Sequence, residues 1–499
     1  MPNIFAFLVL YSWPLLVFFM YSRLPVQRAF IWSILLGYLF MPPASAAFDL
    51  PGLPEFSKIE IAAVSSFVMA LAFHGFSILK LPKNPVILLL GFAYITSPIF
   101  TVLTNPDDVV FGRIVLSGLN YIEIPALVIA QTISLIPFLM AYSLLSKFDH
   151  LSDILMAIVI GLMAYSILIL FEVRISPQLN IWTYGFFQHS FLQMIRGSGF
   201  RPIVFLYHAL WVGFFTVMGV VAAVALFKNS THKTSSPFIF APEYMFRRFF
   251  KHDPRIVYLF MGLFFLFVLI VSKSVGPILI GFSLSGMLLL SKPKLQVISA
   301  FAIALIVLSY PVLREYELFP AELLVGAAES ASADRGGSLA FRFLNEDILL
   351  DRASERRWFG WGAGARHLIL DPISGRLLAI PDGQWIITLG IYGVFGFVSE
   401  MGLILAPAIA AFRWRNVTDP KVISPYVPAF AMLLAANAVD MLPNATLTPL
   451  TFLMAGAIWR HLEGVPERLK TAERANPSPL FGGTVLPYDP TSSGKRTIL

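Results

Sequence analysis

The sequence predicts an all-α polytopic membrane protein with about 13 transmembrane helices and one large helical loop outside the bilayer. Hydrophobic residues make up 57% of the 499 positions and charged residues only 13%, whereas soluble domains are about half apolar and about a quarter charged. The charges lie in short clusters between apolar stretches long enough to cross a hydrocarbon core of about 30 Å. Such continuous runs indicate helices, because a β-barrel would show alternating polarity over about ten residues.

The positions of the helices follow from the apolar runs and from the Pro, Gly and charged residues that interrupt them. They are predicted at 3–20, 29–46, 59–76, 85–103, 120–145, 152–172, 203–227, 255–272, 274–291, 296–311, 385–411, 424–441 and 445–459. The chain therefore divides into helices 1–10 (1–311), the large loop (312–384), helices 11–13 (385–459) and a largely disordered tail (460–499). No basic residue precedes the first run and no cleavage pattern directly follows it, so we expect a retained helix.

The placement of basic residues predicts the orientation of these helices. Most of the 36 Lys and Arg residues lie in one set of loops and in the tail, so that side is expected to face the cytoplasm, with the N-terminus outside and the C-terminus inside. The inner segment 228–254 contains RRFFKH at 247–252, which we expect to lie on anionic headgroups. The net charge of +7 is spread over loops, so no nucleic-acid partner is predicted.

A loop before the seventh helix reads IRGSGFRPIVFLYHALWVG and carries two arginines, Arg196 and Arg201, with His208 in the second turn of the predicted helix. Helix N-termini favour anions, and guanidinium groups match the oxygens of a phosphate or diphosphate. Lys273, between two serines at the end of helix eight, is a further candidate cation. Each has an alternative role: the arginines could reach lipid headgroups, and the lysine could cap its helix.

The large loop holds eight arginines and no lysine between Leu313 and Gln384, a bias that favours bidentate recognition of oxyanions. Carboxylates such as Asp351 and Glu355 could instead pair with several of these arginines. Apolar spacing predicts one or two helices over 334–358, lying across the membrane surface. The candidate functional residues of this segment are Arg342, Arg356, Arg357 and Trp358. The glycines at 360, 362 and 364 then break the helix and could allow backbone to approach a ligand.

Asp382 comes directly before helix eleven, in the run IPDGQWIITLGIYGVFGF. It could be an N-cap, or it could accept a proton from a sugar hydroxyl in a water-filled cavity. The carboxylates within the predicted helices, Glu172, Glu400 and Asp440, form no chain by spacing. No zinc or D-x-D pattern occurs and the chain has no cysteine, so neither a metal nor another cofactor is predicted.

Together these segments resemble the O-antigen ligase and O-antigen polymerase superfamily of bacterial surface polysaccharide assembly, over about residues 190–440. In that family a glycine-containing Arg segment precedes a helix, as RGSGFRP does here, and a Ser-Arg pair ends a later helix, as Ser272-Lys273 does. The large periplasmic loop of the family shows Ser, Gly-Arg, Trp and Pro-x-x-G-x-G, which resembles Ser338, Arg342, Trp358 and FGWGAG. Lys273 stands where the family has Arg, and Asp382 where many members have His.

The resemblance implies a metal-independent inverting glycosyltransferase of the bacterial inner membrane. It would join undecaprenyl-diphosphate-linked oligosaccharide repeat units on the periplasmic face, as a polysaccharide polymerase. The diphosphate would be bound by Arg196, Arg201, Lys273 and Arg342. Asp382, with Arg342, would be catalytic and would accept the proton of the acceptor hydroxyl. Glycan contacts would come from Arg356, Arg357, Trp358 and His208. The implied partners are the lipid-linked oligosaccharide, the bilayer, and chain-length regulators or export proteins.

Three alternatives remain open on the sequence. A ligase of the same superfamily would transfer a finished glycan to another acceptor, and only the product distinguishes it from a polymerase. A transporter of lipid-linked oligosaccharides would place its arginines inside a membrane cavity rather than in one outer loop. A non-catalytic scaffold would leave Arg342, Asp382 and Arg196 apart and paired with other residues.

Overall fold

The computed structural model describes residues 1–43, 45–49, 51–197, 199–229 and 255–475. Helices α1 to α8 are Ile4–Arg23, Val26–Phe40, Lys58–His74, Pro85–Leu103, Ile124–Leu144, Phe148–Ile175, Leu179–Tyr184 and Ala209–Asn229. Helices α9 to α17 are Arg255–Val271, Val275–Leu290, Pro293–Glu315, Ala321–Ala331, Ala333–Ser354, Gln384–Arg413, Val427–Asp440, Pro449–Glu463 and Val465–Ala475. The strands are β1 (Val109–Phe111), β2 (Ile114–Leu116), β3 (Ile195–Arg196) and β4 (Gly199–Phe200), and they form two antiparallel hairpins, β1–β2 and β3–β4.

The helices confirm the predicted all-α class, and each of the thirteen predicted helical segments overlaps one of them. Within the described residues, seven helices are long and apolar enough to cross a membrane: α1, α4, the segment Tyr121–Leu144 that contains α5, α6, α8, α11 and α14. Thirteen crossings and the sidedness of the termini stay predictions. The predicted lipid-surface segment 247–252 and the tail from residue 476 lie outside the described residues.

Local sequence explains where several helices begin. Pro85 occupies the first turn of α4, where its missing N–H costs nothing, and the Asn84 side chain caps that helix by accepting from Val86 N at 2.8 Å. Helix α3 begins with a capping box between Ser57 and Glu60.

At the centre of the bundle, α8 is buried around nearly its whole circumference and packs against α6, α9, α10 and α15. Such a helix has no polar face, as its continuous apolar run predicts.

Helix α14 is broken at Gly393, whereas the sequence predicted one continuous helix at 385–411. Gly393 has φ +66° and ψ −166°, a conformation that only glycine adopts readily. A straight helix would separate residues 388 and 400 by about 18 Å, yet Thr388 Oγ1 donates to Glu400 Oε1 at 2.8 Å. The chain therefore turns back at the break, and residues 394–413 alone form a helix of about 30 Å.

The backbone groups released by this break are paired with the large loop. Segments 357–362 and 390–395 exchange four backbone hydrogen bonds of 2.8–3.2 Å. Non-helical backbone at membrane depth is tolerated where protein satisfies its polar groups. The contact is close, since a Cβ on Gly393 would lie 2.4 Å from the Trp358 carbonyl carbon and oxygen. The break in α14 therefore anchors the second half of the large loop.

Candidate functional site

Four basic side chains that are distant in sequence come together at one end of the bundle: Arg196, Arg201, Lys273 and Arg342. We call them the cation cluster. Lys273 Nζ donates to the Arg196 carbonyl at 3.3 Å. The charges of Arg196 and Arg342, after burial, are the causes that lower the pKa of Arg201. The first three residues flank α8 and α9, and Arg342 comes from α13 of the large loop.

The two arginines before α8 are held by a hairpin and by a buried carboxylate. Arg196 ends β3, Gly197 makes the turn with φ +54°, and the Arg201 amide donates to Met194 O at 2.8 Å. Two residues later the backbone amides of Ile203 and Val204 donate to Glu172 Oε2 at 2.9 and 2.8 Å. The predicted helix 203–227 accordingly begins only at Ala209. The amides bound by this carboxylate belong to a turn instead, in which Leu206 N donates to Ile203 O at 3.0 Å and Val204 has φ +51°.

Arg201 is the most enclosed member of the cluster, with 6% of its surface exposed. Its Nε and Nη2 atoms donate to Ser274 Oγ at 3.3 and 3.0 Å. Burial, followed by the charges of Arg196 and Arg342, lowers its pKa to about 10, so it stays charged at neutral pH. Among the described residues no carboxylate lies within 4.0 Å of Arg196, Arg201 or Lys273. This end of the bundle therefore carries unneutralised positive charge.

Lys273 follows α9 in the left-handed conformation, with φ +54°. Its amine does not cap that helix but reaches across to the β3–β4 hairpin. Gly199 makes room for it, since a Cβ there would lie 2.6 Å from Lys273 Nζ. A non-glycine residue with positive φ is uncommon and costs about 1 kcal/mol or more. The backbone thus accepts strain to present this amine beside Arg196.

Arg342 is fixed by the turn between α15 and α16. Its Nη1 donates to Pro443 O at 3.1 Å and to Asn444 Oδ1 at 3.3 Å. Asn444 Nδ2 in turn donates to Asp440 Oδ1 at 3.1 Å. Because a carboxylate only accepts, Asp440 requires the amide nitrogen on its own side, and the oxygen of Asn444 is left to face Arg342. Asp440, which is 3% exposed, therefore decides which Asn444 atom meets the guanidinium.

Asp382 lies beside Arg342 and does not cap α14. That helix begins at Gln384 with Gly383 as N-cap and no side-chain capping bond. Asp382 Oδ2 is 3.8 Å from Arg342 Nε, and their side chains are 44% and 33% exposed. Burial raises the pKa of Asp382, and the Arg342 charge opposes that rise. A pair so long and exposed is weak, so the Asp382 carboxylate is only loosely held by Arg342.

His208 joins this group of residues as a neutral side chain. Burial and then the charge of Arg201, with smaller contributions from other nearby cations, lower its pKa to about 3. Its Nδ1 accepts from Leu210 N at 3.1 Å, which leaves the proton on Nε2 as a donor. The ring of His189 packs against it with centroids 4.6 Å apart. His208 can therefore offer one hydrogen-bond donor beside the cations.

The remaining predicted residues lie at the broken helix instead. Arg356 Nη1 donates to Thr104 O at 3.1 Å, and Arg357 pairs with Glu315. The Trp358 side chain is 65% exposed, and its carbonyl accepts from the backbone of residue 395. Among the described residues, these three make no hydrogen bond or ion pair with the cation cluster. Of the four proposed glycan contacts, only His208 therefore lies beside the proposed diphosphate contacts.

Four residues that hold the site in place could not be recognised as site residues from the sequence. Glu172 and Asp440 were recognisable only as carboxylates within predicted helices. Their partners are backbone amides and an asparagine from other segments, which spacing along the chain cannot reveal. Ser274 and Asn444 are similar cases, because each acts through an arginine that is remote in sequence.

The site has the composition of an anion site rather than of a metal site. Within the described ranges no three His, Asp or Glu side chains converge. Several guanidinium and ammonium groups beside one carboxylate can instead bind a diphosphate and accept a proton near it. Comparisons with known proteins add no family assignment: no protein-family model matches the chain, and no curated protein matches it.

Proposed function

We propose that this protein is a bacterial surface polysaccharide polymerase. It would join undecaprenyl-diphosphate-linked oligosaccharide repeat units by a metal-independent inverting transfer on the periplasmic face of the inner membrane. The observation that carries the proposal is the meeting of Arg196, Arg201, Lys273 and Arg342 beside Asp382. A transporter or a non-catalytic scaffold would not need a weakly paired carboxylate beside several cations that have no carboxylate partner within 4.0 Å among the described residues. The resemblance to the polymerase and ligase superfamily supplies the identity of the lipid carrier.

The chemistry assigned to these residues is a single displacement. The oxygen of the acceptor hydroxyl forms a bond to the anomeric carbon as the bond from that carbon to the diphosphate breaks. The hydroxyl proton passes to the Asp382 carboxylate, and the diphosphate leaves with its polyprenyl chain. Negative charge grows on the leaving group, where the cation cluster stabilises it, and this is the electrostatic term that dominates many enzymes. The raised pKa of Asp382 suits a group that must hold the proton after transfer.

The test is turnover of lipid-linked repeat units by purified protein in lipid nanodiscs, with a chelator present. Substituting Arg201→Met or Arg342→Met should lower kcat/KM by about 100-fold or more, since each removes charge stabilisation of the transition state. Asp382→Asn should lower kcat by about 100-fold or more. The matched control is Arg376→Met, an exposed arginine of the same loop whose side chain pairs with no carboxylate among the described residues.

Two results would contradict the proposal: unchanged polymer formation in Asp382→Ala, and a requirement for added metal. The product separates polymerase from ligase. A polymerase lengthens glycan on the lipid carrier, and its deletion abolishes the ladder of chain lengths. A ligase would leave the ladder intact but unattached to its acceptor.

A further inference from the structure

A cavity of about 340 Å³ lies away from the cation cluster, beside the start of α5. Its walls come from the loop 115–119, from residues 362–366 of the large loop, and from Tyr392 at the break of α14. Binding pockets for small molecules are usually about 300–1,000 Å³. Ser117, Glu123 and Ala363 on its walls are exposed, so a ligand can enter from solvent.

Among the described residues that line this cavity, Arg366 is the one basic residue, and its guanidinium holds the walls together. Arg366 is 3% exposed and donates to five backbone carbonyls, of which the closest are those of Ser117 at 2.6 Å, Asp107 at 2.9 Å and Trp361 at 3.1 Å. Its guanidinium therefore ties the loop before α5 to the large loop. Because those donors are already engaged, the cavity offers no free cation among its lining residues, and a phosphate would find no counter-charge there.

The backbone of the large loop takes positive φ values where it lines this cavity and at the next residue. Gly362 and Gly364 have φ of +84° and +69°, and the neighbouring Ala365 has φ +66°. For a non-glycine residue this conformation costs about 1–3 kcal/mol and persists only where surrounding structure imposes it. A Cβ on Gly364 would meet nothing within 4 Å, so the strained turn presents bare backbone to open space.

The groups that remain free in the cavity suit a sugar. The Ser117 hydroxyl has no partner among the described residues, and the Glu123 carboxylate uses only Oε1, which accepts from Asn120 N at 3.0 Å. Leu119, Leu127 and the Tyr392 ring add apolar surface beside them. Hydroxyl and carboxylate acceptors next to an apolar wall match the hydroxyl groups and C–H face of a sugar ring.

We propose that this cavity is a glycan subsite, separate from the cation cluster, that holds an uncharged or amine-bearing sugar of the oligosaccharide. The proposal rests on the proposed function for the identity of that oligosaccharide. The cation cluster would hold the diphosphate end, and the cavity would hold sugars of the same or the acceptor glycan. The glycines predicted to allow a close backbone approach would serve this subsite.

Binding can be measured without turnover. The probe is the repeat-unit oligosaccharide freed from its lipid by mild acid and taken from the cells that make this protein. Saturation-transfer NMR with protein in nanodiscs reports its binding. Ala363→Trp and Ser117→Trp fill the cavity from two of its wall segments and should each weaken binding by about tenfold or more. Ser330→Trp, on an exposed face of α12, is the matched control, and unchanged melting temperatures confirm folding.

Binding that is equal in wild type, Ala363→Trp and Ser117→Trp would overturn the subsite. So would the finding that both variants expel a co-purified lipid while leaving glycan binding intact. Failure of the proposed function is a separate result. If Asp382→Asn and Arg342→Met keep full turnover while the two tryptophan variants lose binding, the subsite stands and the polymerase mechanism falls.

Discussion

We predict that Glu346 makes the attachment of α13, and with it the position of Arg342, dependent on pH. The carboxylate lies one turn from Arg342 and is 7% exposed. Tyr310 Oη and Trp385 Nε1 donate to it at 2.9 and 3.4 Å, and Arg314 Nε lies 3.6 Å away. The other charged group facing it is Asp347, which shares Arg314. Burial outweighs these contacts and raises the pKa of Glu346 from 4.5 to about 7.

The direction of this pH dependence follows from where the proton binds more tightly. The docked helix binds this proton more tightly than an undocked one, so docking is strongest below pH 4.5 and weakens as pH rises towards and through 7. With 1.36 kcal/mol for each pKa unit, the loss of docking free energy between pH 5 and pH 8 is about 2 to 3 kcal/mol. That corresponds to a change of about 30- to 150-fold in the opening equilibrium. Glu346→Gln, which carries no charge at either pH, should lose this dependence.

Hydrogen exchange of the α13 amides in nanodiscs measures that equilibrium. After correction for intrinsic exchange rates, wild-type protection should fall by about 30- to 150-fold from pH 5 to pH 8, while Glu346→Gln should change far less. The comparison cancels other titrating groups, Asp347 and Asp382 among them, because both proteins contain them. Equal pH dependence in the two proteins would show that Glu346 does not control the attachment of α13.

Three further predictions concern residues that shape the site. Asp440→Asn should raise the KM for the lipid-linked donor by about tenfold, because Asn444 can then turn its nitrogen towards Arg342, and the exchange Asp440→Asn with Asn444→Asp should restore it. Glu172→Ala leaves backbone amides unpaired at a cost of about 1–3 kcal/mol each, which a lowered melting temperature would reveal and Glu172→Gln would partly avoid. Gly393→Ala, forced against Trp358 in a disfavoured conformation, should cost about 3 kcal/mol or more and free the 357–362 segment to proteolysis.

Much of the fold was predictable because bilayer physics acts on composition. A helix that crosses lipid must be apolar over its length, so the runs at 85–103, 152–172 and 296–311 identified helices directly. The break in α14 was not predictable in the same way. Gly393 is one glycine among several in that helix, and its conformation depends on the large loop packing against it.

The candidate site likewise combines features that the sequence predicted with features that it could not predict. The sequence by itself determined an all-α membrane chain, an arginine-rich loop, and the residue types able to bind an oxyanion, since these depend on composition and local order. Only the tertiary structure decided that Arg201, Lys273 and Arg342 share one cluster while Arg356 and Arg357 lie at the broken helix. The physical reason is that charge pairing, burial and amide orientation depend on distances between segments that are 42 to 252 residues apart in the chain, and no local pattern encodes those distances.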